Sequence, residues 1–128
     1  MPPPAGNSLL LQHNHYRIME TKEFDRAKIF NLSETIKYAD GAIVSKTITK
    51  RTEGTVTLFA FDKEQGLSEH TTPFDAQVHI LDGTATIRID KEPYVLRKDD
   101  IIVMPANIPH ALEATEPFKM MLTMIKSK

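Results

Sequence analysis

Past Gly41 the chain alternates. Apolar and polar side chains exchange places every second residue towards the C-terminus, which is the period of a half-buried strand and not of a helix. Eight segments carry the pattern: 42–50, 55–62, 76–81, 84–90, 94–97, 101–104, 110–114 and 118–125. Turn-forming residues separate them: Gly54, the stretch 63–66, Asp82 with Gly83, 90–93, 98–100, 105–109 with its two prolines, and Glu116 with Pro117. Eight short strands at this spacing, with little helix, predict an all-β sandwich or barrel. Before Gly41 the pattern is mixed, and SETI at 33–36 predicts one helical turn with Ser33 as its N-cap.

Strand parity assigns faces. In 76–81 the core face is Ala76, Val78 and Ile80, and Gln77, His79 and Leu81 take the other. In 84–90 the core face is Ala85, Ile87 and Ile89. In 110–114, His110 falls in with Leu112 and Ala114, so it points inward while Glu113 points away. Phe59 and Phe61 alternate with Leu58 and Ala60, which reads as a buried strand. The last strand is apolar on both faces, with Phe118, Met120, Leu122 and Met124 on one and Met121 and Ile125 on the other. Such a strand is either fully buried or half in a subunit interface.

Length and composition narrow the classes. A chain of 128 residues suits one domain with a real core, here 21–128, behind a tail or arm at 1–20. There is no internal repeat or low-complexity linker. The net charge of −1 gives nucleic acid or an anionic membrane nothing to hold over a wide surface, so neither is an expected partner. The absence of cysteine excludes disulfides, zinc–thiolate sites and thiol nucleophiles. The opening MPPPAGNSLLLQ lacks a positive n-region, and its apolar run at 9–11 is too short for a signal peptide or a span, so the expectation is a soluble, cytoplasmic protein. His13 and His15 have a metal-binding spacing, but behind Pro2, Pro3 and Pro4 they read as solvated residues of the tail.

The chemistry concentrates in two places. His70 follows the turn that ends in Gly66, and His110 follows the rigid stretch 105–109. Two imidazoles brought in by separate turns look like half of a metal site. The run from Gly66 to Gly83, with "SEHTTPFDAQVHILDG" inside it, resembles the first motif of the cupin family: His70 takes the first histidine position and Gly83 the closing glycine. Asp99 to His110 has the spacing of the second motif, with Asp99 and Asn107 where the family has glycine; both residue types tolerate the turn conformations glycine serves. "GLSEHTTPFDA" with "PANIPHAL" is similar to a subgroup of small, uncharacterised bacterial cupins. The resemblance implies a jelly-roll barrel (double-stranded β-helix) with a short N-terminal extension. It also implies a homodimer that pairs through sheet faces and exchanged N-terminal strands, for which HYRIME at 15–20 would be the arm.

The chain departs from the family where ligands are concerned. A metal-binding cupin usually offers three histidines and a glutamate; here Thr72 and Ala76 stand at two of those positions. A divalent metal (iron, manganese, zinc, nickel or copper) would rest on His70 and His110. Gln77 or His79 would join only if a β-bulge between Asp75 and Val78 turned one inward. The expected pocket is mostly apolar, lined by Thr72, Ala76, Val78, Ile80 and Leu112. Two functions follow: a metal-dependent enzyme acting on a small molecule through a reduced histidine site, or a non-catalytic small-molecule sensor or carrier with no tightly bound metal. A structural protein with a vestigial pocket is the third reading. Asp99 and Asp100 read as turn residues, Lys46, Lys50 and Arg51 as a solvated strand face, Met120, Met121 and Met124 as packing, and Glu69 as facing away from His70.

Overall fold

The alternating segments fold as antiparallel strands in two sheets. The computed structural model describes residues 23–127; His13, His15 and the arm expected at 15–20 lie outside them. Nine strands follow a single helical turn, α1 (Leu32–Thr35): β1 (Ile43–Arg51), β2 (Gly54–Phe61), β3 (Gly66–His70), β4 (Phe74–Gly83), β5 (Ala85–Ile89), β6 (Glu92–Leu96), β7 (Ile101–Met104), β8 (His110–Glu113) and β9 (Phe118–Lys126). A five-stranded sheet runs β1-β2-β9-β4-β7 and faces a four-stranded sheet, β3-β8-β5-β6. This is the all-β, jelly-roll architecture that the pattern and the resemblance imply.

Parity places the core where the sequence puts it. Ala76, Val78 and Ile80 meet Ala85 and Ile87 between the sheets, with Phe61, Phe118 and Met120. The Phe61 and Phe118 rings stack with centroids 4.6 Å apart and planes 10° off parallel. The opposite face of β2 is buried as well: Leu58 and Ala60 join Ile36 and Leu81 in a second cluster, against which Phe24, Leu32, Tyr38 and Met121 pack. The segment before β1 therefore covers the outer face of the large sheet. Tyr38 ties it down by donating to Asp82 Oδ2 at 2.5 Å, and two lysines hold its carbonyls, Lys46 on Thr35 and Lys119 on Ser33. Lys46 thus has a structural bond, where its sequence context reads as a solvated strand face.

Two local expectations need correction. The helical turn is capped by Asn31, whose Oδ1 accepts from the Glu34 N–H at 3.1 Å; Ser33 lies inside the turn. Starting two residues earlier frees Ile36 to leave in extended conformation and enter the second cluster fully buried. The second correction is β3, a strand the alternation does not predict. GLSEH is almost wholly exposed, is an edge strand, and pairs only with β8.

Candidate functional site

Strand β3 delivers His70. Its pairing with β8 runs Gly66↔Glu113, Leu67↔Leu112, then jumps to His70↔His110. Ser68 and Glu69 therefore stand opposite Ala111 alone, a β-bulge that puts Leu67 and His70 on the same face despite being three residues apart. His110 sits at the start of β8, on the inward face with Leu112, and only 3 % of it is exposed. Ahead of it the loop 105–109 is fixed from the neighbouring connection. The Asn107 N–H donates to the Thr72 carbonyl at 2.8 Å, and the Ala106 N–H donates to Asp75 Oδ1 at 2.9 Å. Asn107 and Asp99 both adopt positive φ, 66° and 73°, the turn conformations expected of residues in glycine positions.

The two imidazoles meet edge to face, with Nε2 of one 3.1 Å from Nε2 of the other and ring planes 72° apart. Each ring is anchored in the same way. His70 Nδ1 lies 2.7 Å from the Ser68 carbonyl and His110 Nδ1 lies 3.1 Å from the Ile108 carbonyl, in both cases the residue two before it. A carbonyl oxygen only accepts, so both Nδ1 atoms carry the proton and donate. In the neutral rings both Nε2 atoms are then bare lone pairs, and two bare nitrogens at this distance repel. One proton shared between them turns the contact into a hydrogen bond. A second is held off: burial, then the charge of His70, pushes the His110 imidazolium below the ordinary imidazole range, against a smaller upward pull from the Ile108 carbonyl.

The donor set also bears on whether a divalent metal could bind. Protein-held iron, manganese, zinc, nickel and copper normally take three or more side-chain ligands. Here Thr72 Oγ1 already accepts from the Phe74 N–H at 2.9 Å, and Ala76 offers a methyl group. The bulge that would recruit Gln77 or His79 is absent. Residues 76–79 pair in unbroken register with β7 and 74–80 with β9. Both side chains stay on the outer face, where His79 Nε2 lies 3.6 Å from Asp99 Oδ1. Among the described residues no group of three histidine, cysteine, aspartate or glutamate side chains could hold a metal ion. Two imidazoles do not fit a metal held by this chain alone.

The expected pocket residues divide. Ala76, Val78, Ile80 and Leu112 all belong to the packed core, and Val78 and Ile80 are 0 % exposed, so no water-sized space touches them. They form a solid apolar core, not the walls of an open cavity. Only Thr72 lies at the rim, partly exposed. The Ser68 and Ile108 carbonyls that fix the rings, and Asp75 that fixes the loop, were not legible as site residues. Ser68 belongs to β3, which carries no periodic signal, and Ile108 and Asp75 act through loop contacts that no strand pattern marks.

A family model for the cupin domain matches residues 57–126. A conserved protein of unknown function from Streptococcus pyogenes superposes with a TM-score of 0.79 at 38 % identity, covering 84 % of this chain and 94 % of that one. A cupin 2 conserved barrel domain protein from Leptotrichia buccalis gives 0.74 at 42 % identity over 76 % of this chain, which spans only 47 % of that protein. A cupin superfamily protein from Desulfitobacterium hafniense gives 0.77 at 23 % identity, a likeness of fold. No curated protein matches the chain.

Proposed function

The chain belongs to the cupin family, and we propose that it is a small-molecule-binding barrel that works without a tightly bound metal, its ligand presenting one acidic O–H group, or the anion of one, to the His70–His110 pair. The observation that carries this reading is the pair of anchored rings. Both Nδ1 atoms are committed to carbonyls, so the two Nε2 atoms converge on one point and lack a proton between them. An acidic hydroxyl or carboxyl group donates its O–H to one bare Nε2, and if the proton transfers, that Nε2–H donates back to the anion in a charge-assisted hydrogen bond. The packed core of Ala76, Val78 and Leu112 leaves no room for a carbon skeleton, so the ligand meets the pair from the side of His70, which is exposed. Imidazoles near neutral pH also suit general acid–base work, but nothing in the donor set favours a metal-dependent reaction over binding.

The test is direct. Small phenols and carboxylic acids are screened by thermal shift, and hits are followed by the imidazole signals in NMR spectra of wild type, His70→Gln and His110→Gln. Saturable shifts at both rings that vanish in either variant support the reading. Elemental analysis of untagged wild type and of His70→Ala/His110→Ala gives the opposing outcome. About one equivalent of tightly held transition metal in wild type only would replace this reading with a metal enzyme.

A second copy of the chain is the partner we propose. Ile101, Val103 and Ile125 stand on the outer face of the large sheet, 55 %, 51 % and 59 % exposed, beyond the part that residues 24–38 cover. Registers Gln77↔Val103, His79↔Ile101 and Asp75↔Ile125 place them on one surface that spans β7, β4 and β9. Large apolar side chains gathered on one sheet face favour association. Light scattering that gives a monomer at micromolar concentration would end the proposal. No helix among the described residues is long and apolar enough to cross a membrane.

A further inference from the structure

The bulge that aims His70 inward has a second effect on the outer face of the small sheet. Ser68 and Glu69 stand opposite Ala111 alone, and Ala111 is paired on its other side with Arg88. The methyl group of Ala111 leaves a notch between two long side chains. Pro109 and Lys91 close one end, and the result is a cleft of about 280 Å³ lined by Glu69, Arg88, Lys91, Pro109, His110 and Ala111.

Lys91 is held there by an unusual turn. Asp90 and Lys91 connect β5 to β6, with Ile89 paired to Glu92, and both have positive φ, 51° and 72°. A two-residue hairpin with positive φ at both central positions favours asparagine and glycine. Neither residue here is glycine, and strain of this kind persists only where the surroundings hold it. The Asp90 N–H donates to the Pro109 carbonyl at 2.7 Å, which fastens the turn to the rim of the cleft.

Donors remain unspent in the cleft. Lys91 Nζ binds Glu69 through both carboxylate oxygens, at 3.0 and 3.3 Å, which offsets the Glu69 charge and leaves the ammonium a further N–H. Arg88 uses Nε on Glu113 at 3.0 Å, and among the described residues Nη1 and Nη2 have no partner. A guanidinium with its terminal fork unspent, beside an ammonium, above a small apolar floor, matches a planar carboxylate. From these features we propose that this cleft is a binding site for a short-chain organic carboxylate, gripped by Arg88 and Lys91 on the outer face of β8. His110 lines this cleft and also belongs to the imidazole pair, but the grip of Arg88 and Lys91 uses neither imidazole and does not depend on the function proposed for that pair.

The probe is succinate, titrated at constant ionic strength into the uniformly labelled protein and followed by amide shifts. Saturable changes centred on Glu69, Lys91 and Ala111, with a millimolar dissociation constant, are expected. Arg88→Lys keeps the charge but removes the fork and weakens binding at least about fivefold. Arg88→Ala and Lys91→Ala weaken it further, each with a dispersed spectrum that certifies the fold. No saturable change up to tens of millimolar, or equal binding by wild type and Arg88→Ala, would overturn the proposal. So would inorganic phosphate moving the same amides more tightly than succinate, since that assigns the cleft to a tetrahedral oxyanion.

Discussion

The two sheets of this barrel are made from the same kind of sequence and behave differently. The large sheet pairs β2 with β9 in register over eight residues, and over much of its area both faces are covered, by the inner core and by the segment before β1. The small sheet has one buried face. Its outer face carries ion pairs, Arg88 with Glu113 and Lys91 with Glu69, and its edge strand β3 is bulged and exposed. The candidate chemistry lies entirely on the small sheet. The large sheet also shifts register, between Thr47 and Thr49 in β1 and between Ile80 and Asp82 in β4, but the bulge in β3 lies in an exposed edge strand, and there it re-aims both an imidazole and a notch. Local stability is expected to follow the same division, lower where contacts are fewer.

The sharpest way to break this contrast is to damage each sheet in turn. Phe61→Ala removes a fully buried ring stacked on Phe118 and should cost about 3–5 kcal/mol, read as a large drop in the denaturant midpoint. A loss under about 1 kcal/mol would show that the core relaxes and that the large sheet is not the stiffer one. Gly83→Ala comes next. Gly83 has φ +77° at the corner where β4 leaves for β5, and an added Cβ would collide with the Pro117 carbonyl oxygen, part of the backbone entering β9. The expected loss is about 1–3 kcal/mol, global and cooperative. Gly66→Ala is its counterpart in β3, where an added Cβ would press on the Leu112 carbonyl. An edge strand can move away, so faster amide exchange confined to residues 66–70 is expected, with the midpoint shifted by less than about 1 kcal/mol. Equal midpoint shifts for the two glycine variants would erase the distinction between the sheets.

That distinction also marks what the sequence could be made to say. Strands buried against a core on one face, such as Ala76–Val78–Ile80 in β4 and Ala85–Ile87 in β5, write their burial as alternation, and parity alone turned His110 inward beside Leu112. GLSEH writes nothing of the kind, because an exposed edge strand has no face to keep apolar and a bulge breaks its parity. The partner of His110 therefore became visible as a cross-strand neighbour only in the structure. The same holds for the anchoring of both rings. It uses backbone carbonyls two residues back, and a carbonyl is present whatever the side chain. The cap of α1 was misplaced, at Ser33, for another reason. Asn31 and Ser33 are both competent caps, and burial of Ile36 in the second cluster, a tertiary demand, decides between them. The cleft residues Arg88 and Lys91 lie three apart across a hairpin, where nothing in the alternation marks them as converging.

The smallest effect is the one most specific to the small sheet. The folded imidazole pair resists protonation at His110, through burial and then the charge of His70. The unfolded chain has no such restraint and protonates both rings at the ordinary imidazole value, about 6.5. Below that pH the unfolded state binds more protons than the folded one, so stability is full above it and declines as pH falls towards the depressed folded value of His110. The carboxylates that the fold favours as anions, Glu23 bonded by the Lys50 amide and Asp62 by the Gly41 amide, lose their contribution only at still lower pH, near the carboxylate range. Melting temperature measured between pH 7.5 and 5.5, an interval set by that imidazole value, thus isolates the pair. A modest decline is expected in wild type, and His110→Gln, which keeps a polar group but cannot titrate, should flatten it. A decline of the same slope in the variant would place the titrating group elsewhere and deny the small sheet its proton chemistry. Amide exchange at both pH values separates the outcomes further. If the pair is responsible, the acid-induced loosening begins in β3 and at the start of β8, while β2 and β9 keep their protection.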